Sequence, residues 1–140
     1  MAGNIIMDEQ NTPVDILGST WNILFADKDE VEPFRDGTCW GYAEDNERII
    51  CLCKPYEDEG SLGLGIKAQR INLGRVLRHE LIHAFLSESG LADSSNGTGE
   101  DGWATNEEMV DWFARQSPKI FRLYKELVLS QNLIRVQMQI

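Results

Sequence analysis

Apolar positions in the first part of the chain fall in short runs of the strand kind. Trp21-Asn22-Ile23-Leu24-Phe25 is bounded by Gly18-Ser19 before it and by the charged stretch Asp27-Lys28-Asp29-Glu30 after it. Thr38–Ala43 and Arg48–Cys53 flank Glu44-Asp45-Asn46-Glu47, which reads as a hairpin with a polar turn. Pro55 ends the second arm, and residues 57–65 read as a loop. The period then lengthens. From Asn72, a candidate N-cap, apolar residues recur at Val76, Leu77, Leu81, Ala84 and Phe85, which predicts a helix stopped by Gly90. Residues 91–102 have loop composition. Thr105-Asn106-Glu107-Glu108 is a capping-box sequence, with Thr105 as N-cap and Glu108 at N3, and opens a second helix over 106–115. Ser117-Pro118 is expected to break it and start a third, with Ile120, Leu123, Tyr124 and Leu127 on one face. The tail from Gln131 fits no single pattern, and no internal repeat is present.

These elements predict an α+β fold in one domain over residues 1–140: a small twisted antiparallel or mixed sheet, packed on the long helix and completed by the C-terminal helices. Composition agrees, since 42% hydrophobic and 26% charged residues are globular proportions. Charge narrows the partners. The formal net charge is −10, and residues 1–60 hold 14 acids against 4 bases. Nucleic acid and anionic membranes both need clustered cations, so neither is an expected partner. No apolar run approaches the roughly 18 residues of a membrane span, and the first residues lack a signal-peptide pattern. Three cysteines, Cys39, Cys51 and Cys53, form no even set, so reduced, buried thiols and a cytoplasmic setting are expected.

The two histidines of the chain stand in His79-Glu80-Leu81-Ile82-His83. On a helix, positions i and i+4 lie one turn apart on one face, so both imidazoles can reach one metal ion. Glu80 is rotated about 100° from His79 and can face a water there without being a ligand. This is the HExxH arrangement of zinc metallopeptidases. A tetrahedral zinc site needs a third protein ligand and leaves one position open. Leu86 and Ser89 stand where the HExxHxxGxxH class has glycine and histidine, which excludes that class. The remaining common solution is a carboxylate from a later helix, where Glu107, Glu108 and Asp111 are available. In the capping box Glu108 turns back toward Thr105, leaving Glu107 as the preferred ligand and Glu108 as the reserve. Asp111, four residues on, could accept a hydrogen bond from the distal nitrogen of one histidine.

The pattern His79-Glu80-x-x-His83 followed by Asn106-Glu107-x-x-Val110-Asp111, with 23 residues between His83 and Glu107, resembles the gluzincin pattern HExxH … NExx(S/T)D. Glu107-x-x-Val110-Asp111-Trp112-Phe113-Ala114 is also similar to the corresponding helix of the ImmA/IrrE-type minimal metallopeptidases, small domains common in prophages and their hosts. The resemblance covers about residues 70–116, with Val110 in place of the usual small or hydroxylated residue. It implies a zincin-like fold, Zn²⁺ bound by His79, His83 and Glu107, Glu80 as general base, and a protein or peptide substrate. For the oxyanion, Tyr42, Tyr56, Tyr124 and several arginines are open candidates. The arm Arg48–Cys53 is expected to offer a sheet edge to an extended peptide. A competing expectation takes the acids Asp27, Asp29, Glu30, Glu32, Asp36 and Glu57-Asp58-Glu59 as a phosphate-like surface for a basic partner, as in small phage-type inhibitors, with zinc kept only for folding.

Overall fold

A computed structural model describes residues 11–56, 65–94 and 102–128. Its first element is one the hydrophobic runs did not announce: β1 (Thr12–Ile16) pairs antiparallel with β2 (Ser19–Ala26). The two-residue turn between them places Leu17 at φ 53° and Gly18 at φ 91°. That left-handed pair matches the right-handed twist of a tight hairpin, and Gly18 N–H donates to Asp15 Oδ1 at 2.8 Å. A single helical turn, α1 (Glu32–Arg35), precedes β3 (Gly41–Glu44) and β4 (Ile49–Cys53). The expected hairpin is therefore present, but its first strand starts at Gly41 rather than Thr38. Thr38 is held instead by Asp36, whose Oδ1 accepts the Thr38 N–H at 2.9 Å.

The four strands form one mixed sheet in the order β1-β2-β4-β3. β2 and β4 run parallel at its centre, with Ile23 opposite Ile50 and Phe25 opposite Leu52. Alternation along β4 separates two cores. Ile50 and Leu52 join Trp21, Ile23 and Ile16 against Leu73, Val76 and Ala84 of the long helix. Cys51 and Cys53 face the other way, packing with Ala26 and Phe34 of α1. The two thiols share one strand face, as expected, and are buried and unpaired.

The long helix, α2 (Ile66–Glu88), has 23 residues and starts six residues before Asn72. Asn72 is interior, and its Oδ1 accepts from Arg75. The early turns are hard to read because the buried stripe is Gln69, Leu73, Val76, Glu80 and Ala84, with a polar residue at its head and another inside it. Gln69 is fully buried and clamps the chain leaving the sheet: Tyr56 N–H donates to its Oε1 at 2.9 Å, and its Nε2 donates to Tyr56 O at 2.6 Å. Gly90, at φ 81°, ends α2 as expected. A short turn, α3 (Leu91–Ser94), follows within the expected loop.

A 3₁₀ turn at Trp103–Thr105 leads into α4 (Glu107–Val128), one helix where two were expected. Pro118 lacks the N–H that would bond to Ala114 O, normally a reason for a helix to break. Here Arg78 Nε of α2 donates to that carbonyl at 2.7 Å, so the freed acceptor is satisfied and the helix continues. Among the described residues no helix is long and apolar enough to cross a membrane.

Candidate metal centre

The elements converge at one point. His79 and His83 project from adjacent turns of α2, with ring centroids 4.8 Å apart and planes inclined by 66°. Their Nε2 atoms are 3.1 Å from each other. Glu107, the first residue of α4, spans the pair. Its Oε2 is 2.9 Å from His79 Nε2 and its Oε1 is 3.1 Å from His83 Nε2. Among the described residues, this is the group whose ligand atoms gather closely enough to hold a metal ion. Glu108 is exposed and is not part of it.

Does the cluster suit a cation? With bonds of about 2.0–2.1 Å, each edge of a tetrahedral face measures about 3.3 Å. The Nε2–Nε2 separation of 3.1 Å is close to that figure, and with one oxygen taken from Glu107 the three ligand atoms lie within 4.8 Å of one another. Two Nε2 atoms turned on each other, with one carboxylate oxygen presented to each, form a donor set of the kind zinc takes. The residues fit.

Glu107 reaches this position by a capping arrangement one residue later than expected. Thr105 lies in the 3₁₀ turn, and its hydroxyl donates to Gly102 O at 3.1 Å. Asn106 is the N-cap of α4, with its Oδ1 accepting the Met109 N–H at 2.7 Å. Met109, not Glu108, therefore occupies N3, and Glu107 stands at N1 facing α2.

Asp111 lies beneath His79, with Oδ1 at 3.5 Å from Nδ1, longer than the direct hydrogen bond expected. Its oxygens are taken by two guanidinium groups: Arg115 Nε donates to Oδ2 and Arg75 Nη1 to Oδ1, each at 2.7 Å. Arg115 foremost, with Arg75, holds the Asp111 carboxyl below its ordinary range. Arg75 was not singled out from sequence, although it stands four residues before His79 and so shares its helix face.

Glu80 belongs to the inward stripe of α2 and is buried. Burial pushes its carboxyl up to about 7; the charge of Glu107 adds to the rise and His79 opposes it. Burial pulls His83 below the usual imidazole value, favouring the neutral ring. Glu80, His79, His83 and Glu107 line a cleft of about 710 Å³ whose far wall is Gly41, Tyr42 and Ala43 of β3. The close approach of α2 to that wall depends on Gly41. A Cβ there would lie 2.7 Å from Val76 Cγ1 and 2.9 Å from Leu52 Cδ2.

The strand edge beside the cleft is β3, because β4 lies between β2 and β3 and offers no edge. Of the tyrosines considered for the oxyanion, Tyr42 packs on the opposite face of the sheet, 5.8 Å from Phe34, with its phenol bonded to Cys51. Tyr56 stacks on Trp40 at 5.6 Å, and Tyr124 is exposed on the distal half of α4. Cys39 borders the cleft, its thiol raised by burial, but does not join the ligand cluster. The acids Asp27, Glu30 and Asp36 are engaged locally: Asp27 lies 3.8 Å from Lys54, Glu30 accepts the Asp27 N–H, and Asp36 caps Thr38. Residues 57–59 lie outside the described residues. Compared with known protein families, curated proteins and solved structures, the chain matches none, so the reading of this centre rests on its own geometry and chemistry.

Proposed function

We propose that the chain is a zinc-dependent peptidase of zincin-like architecture, with His79, His83 and Glu107 as the metal ligands and Glu80 as general base. The observation that carries this reading is the meeting of two imidazole nitrogens and a carboxylate at one point beside a separate, buried carboxylate. Bound there, zinc supplies Lewis acidity, bringing the pKa of a water toward about 7 and polarising a carbonyl.

The chain's own groups do the rest. His83, kept neutral by burial, offers Nε2 as a donor, and Glu107 adds a negative charge to the ligand set. Glu80, raised above the ordinary carboxylate range chiefly by burial, is placed to take a proton from an attacking water and release it to a departing amine. An extended peptide would add along the β3 edge, its backbone laid between Gly41–Ala43 and the two histidines. Asp27, Glu30 and Asp36 of the competing acidic surface make local contacts, whereas the histidine–glutamate cluster gathers its donors at one point, which is what favours the peptidase reading.

Protein purified without chelator should carry about one zinc per chain by elemental analysis. Glu80→Gln should keep that zinc while cleavage of a mixture of fluorogenic peptides falls by roughly three orders of magnitude or more. Zinc below about half occupancy, or undiminished cleavage by the variant, would overturn the reading.

A further inference from the structure

One charged side chain borders the metal cleft without belonging to its cluster. Alternation along β3 turns Gly41 and Ala43 toward α2, since a Cβ on Gly41 would meet Val76 and Ala43 packs on the core that α2 shares with the sheet. Asp45, two residues on in the β3–β4 turn, keeps that direction. Its Oδ2 accepts the Ser87 hydroxyl at 3.3 Å, and both residues line the cleft. Ser87 stands four residues after His83, so it lies one helical turn, about 5.4 Å, beyond it on the same face of α2. A carboxylate is thereby held at one end of the cleft, in line with the two histidines.

The neighbouring charges are directed elsewhere. Glu44 Oε1 accepts the Asn46 N–H at 3.0 Å, and Glu88 is taken by Trp21 and Arg48. Arg48, the cation of this turn, therefore meets Glu88, and Asp45 has no cationic partner among the described residues. No lysine or arginine lines the cleft. Its other acids and imidazoles are His79, Glu80, His83 and Glu107, all used by the peptidase reading. With a divalent cation in place, Glu107 and an ionised Glu80 balance it, and Asp45 is left as the unmatched charge. The chain's net −10 reinforces the local preference for a cation.

Resting on the peptidase reading, we infer that Asp45, steadied by Ser87, selects substrate by receiving a positively charged group of the peptide. That group is a lysine or arginine side chain, or the free α-ammonium. An extended peptide beside Gly41–Ala43 advances about 3.4 Å per residue, so the Asp45 end lies within reach of one long side chain. Antiparallel pairing with β3 sets the N-terminal side of the peptide at this end, where a free amino terminus would meet the same carboxylate. Asp45 is exposed, so water and salt screen the contact and the preference is modest.

The test compares kcat/KM of zinc-loaded protein on peptides identical but for Lys, Gln or Glu at each position flanking the scissile bond. Each peptide is made with a free and with an acetylated amino terminus. At one position Lys should exceed Gln by about five- to tenfold at low ionic strength, with Glu slowest. Asp45→Asn should bring the Lys-to-Gln ratio to about one, and Asp45→Lys should place Glu ahead. A gain that acetylation removes identifies the α-ammonium as the group held, and a gain that survives it identifies the side chain. Cleavage with no cationic preference at any position, or a preference that Asp45→Asn leaves intact, would overturn the inference while the peptidase reading holds. Peptides left uncut throughout would instead sink that reading. Fluorescence anisotropy of the labelled Lys peptide then decides the cation site: weaker binding to Asp45→Asn upholds it, and equal affinities overturn it.

Discussion

Arg75 and Asp111 show how far the candidate centre extends beyond its ligands. Asp111 is too distant from His79 Nδ1 for a short hydrogen bond, and its charge is shared between Arg75 and Arg115. The guanidinium groups fix the carboxylate in place, so His79 keeps a stationary acceptor below it. Removing Arg75 frees one oxygen and lets the carboxylate turn. Arg75→Ala should therefore lower zinc affinity about tenfold in a competition titration with a chelating dye, with partial recovery in Arg75→Lys. Unchanged affinity would show that Arg115 alone suffices. The histidine pair was legible because its chemistry and the helical repeat coincide. The preference for Glu107 came through a cap assigned to Thr105, whereas Asn106 holds that role. The first-turn position of Glu107 is common to both registers, which is why the error left the preference intact. Arg75 was illegible because an isolated arginine carries no pattern until its partner on another helix is known.

At the scale of elements, α4 turns on a single backbone acceptor. Pro118 removes one donor, and Arg78 from the neighbouring helix replaces it at Ala114 O. Arg78→Ala should destabilise the protein by about 1–3 kcal/mol, the cost of a buried carbonyl left without a partner. In a Pro118→Ala background the helix regains its own N–H, so the same change should cost about 1 kcal/mol less by urea denaturation. Strictly additive losses would mean that the guanidinium does not stand in for the missing donor. Such compensation lies outside local pattern, and for that reason Ser117-Pro118 reads as a break. The start of α2 was obscured differently. Gln69 fills a core position because it clamps Tyr56, so its polarity hides the first turns of a stripe that apolar residues make plain from Leu73 onward. β1 escaped notice because five residues containing Pro13 and Asp15 show little alternation, although Leu17-Gly18 marks the turn that follows.

For the whole molecule, the mixed α+β class followed from the change of period along the chain, but the central pairing of β2 with β4 did not. Both strands have buried side chains on both faces, and their partnership joins distant segments. Among the polar ties between this sheet and α2 is Glu88 at the helix end. Its Oε1 accepts Trp21 Nε1–H of β2 at 2.8 Å and also pairs with Arg48 from the β3–β4 turn. The Arg48 hydrogen bond foremost, then that of Trp21, holds the Glu88 carboxyl below its ordinary 4.5. A carboxyl lowered on folding stabilises the native state fully above its unfolded value, and that contribution fades as pH falls through the folded value. Glu88→Gln keeps an oxygen for Trp21 but removes the charge that Arg48 meets. In zinc-free protein, the melting temperature of wild type should exceed that of the variant near neutral pH, and the gap should narrow below about pH 4.5. Trp21 is fully buried beside this group. A gap that persists unchanged into acid would assign the difference to packing of the Glu88 side chain rather than to its ionisation.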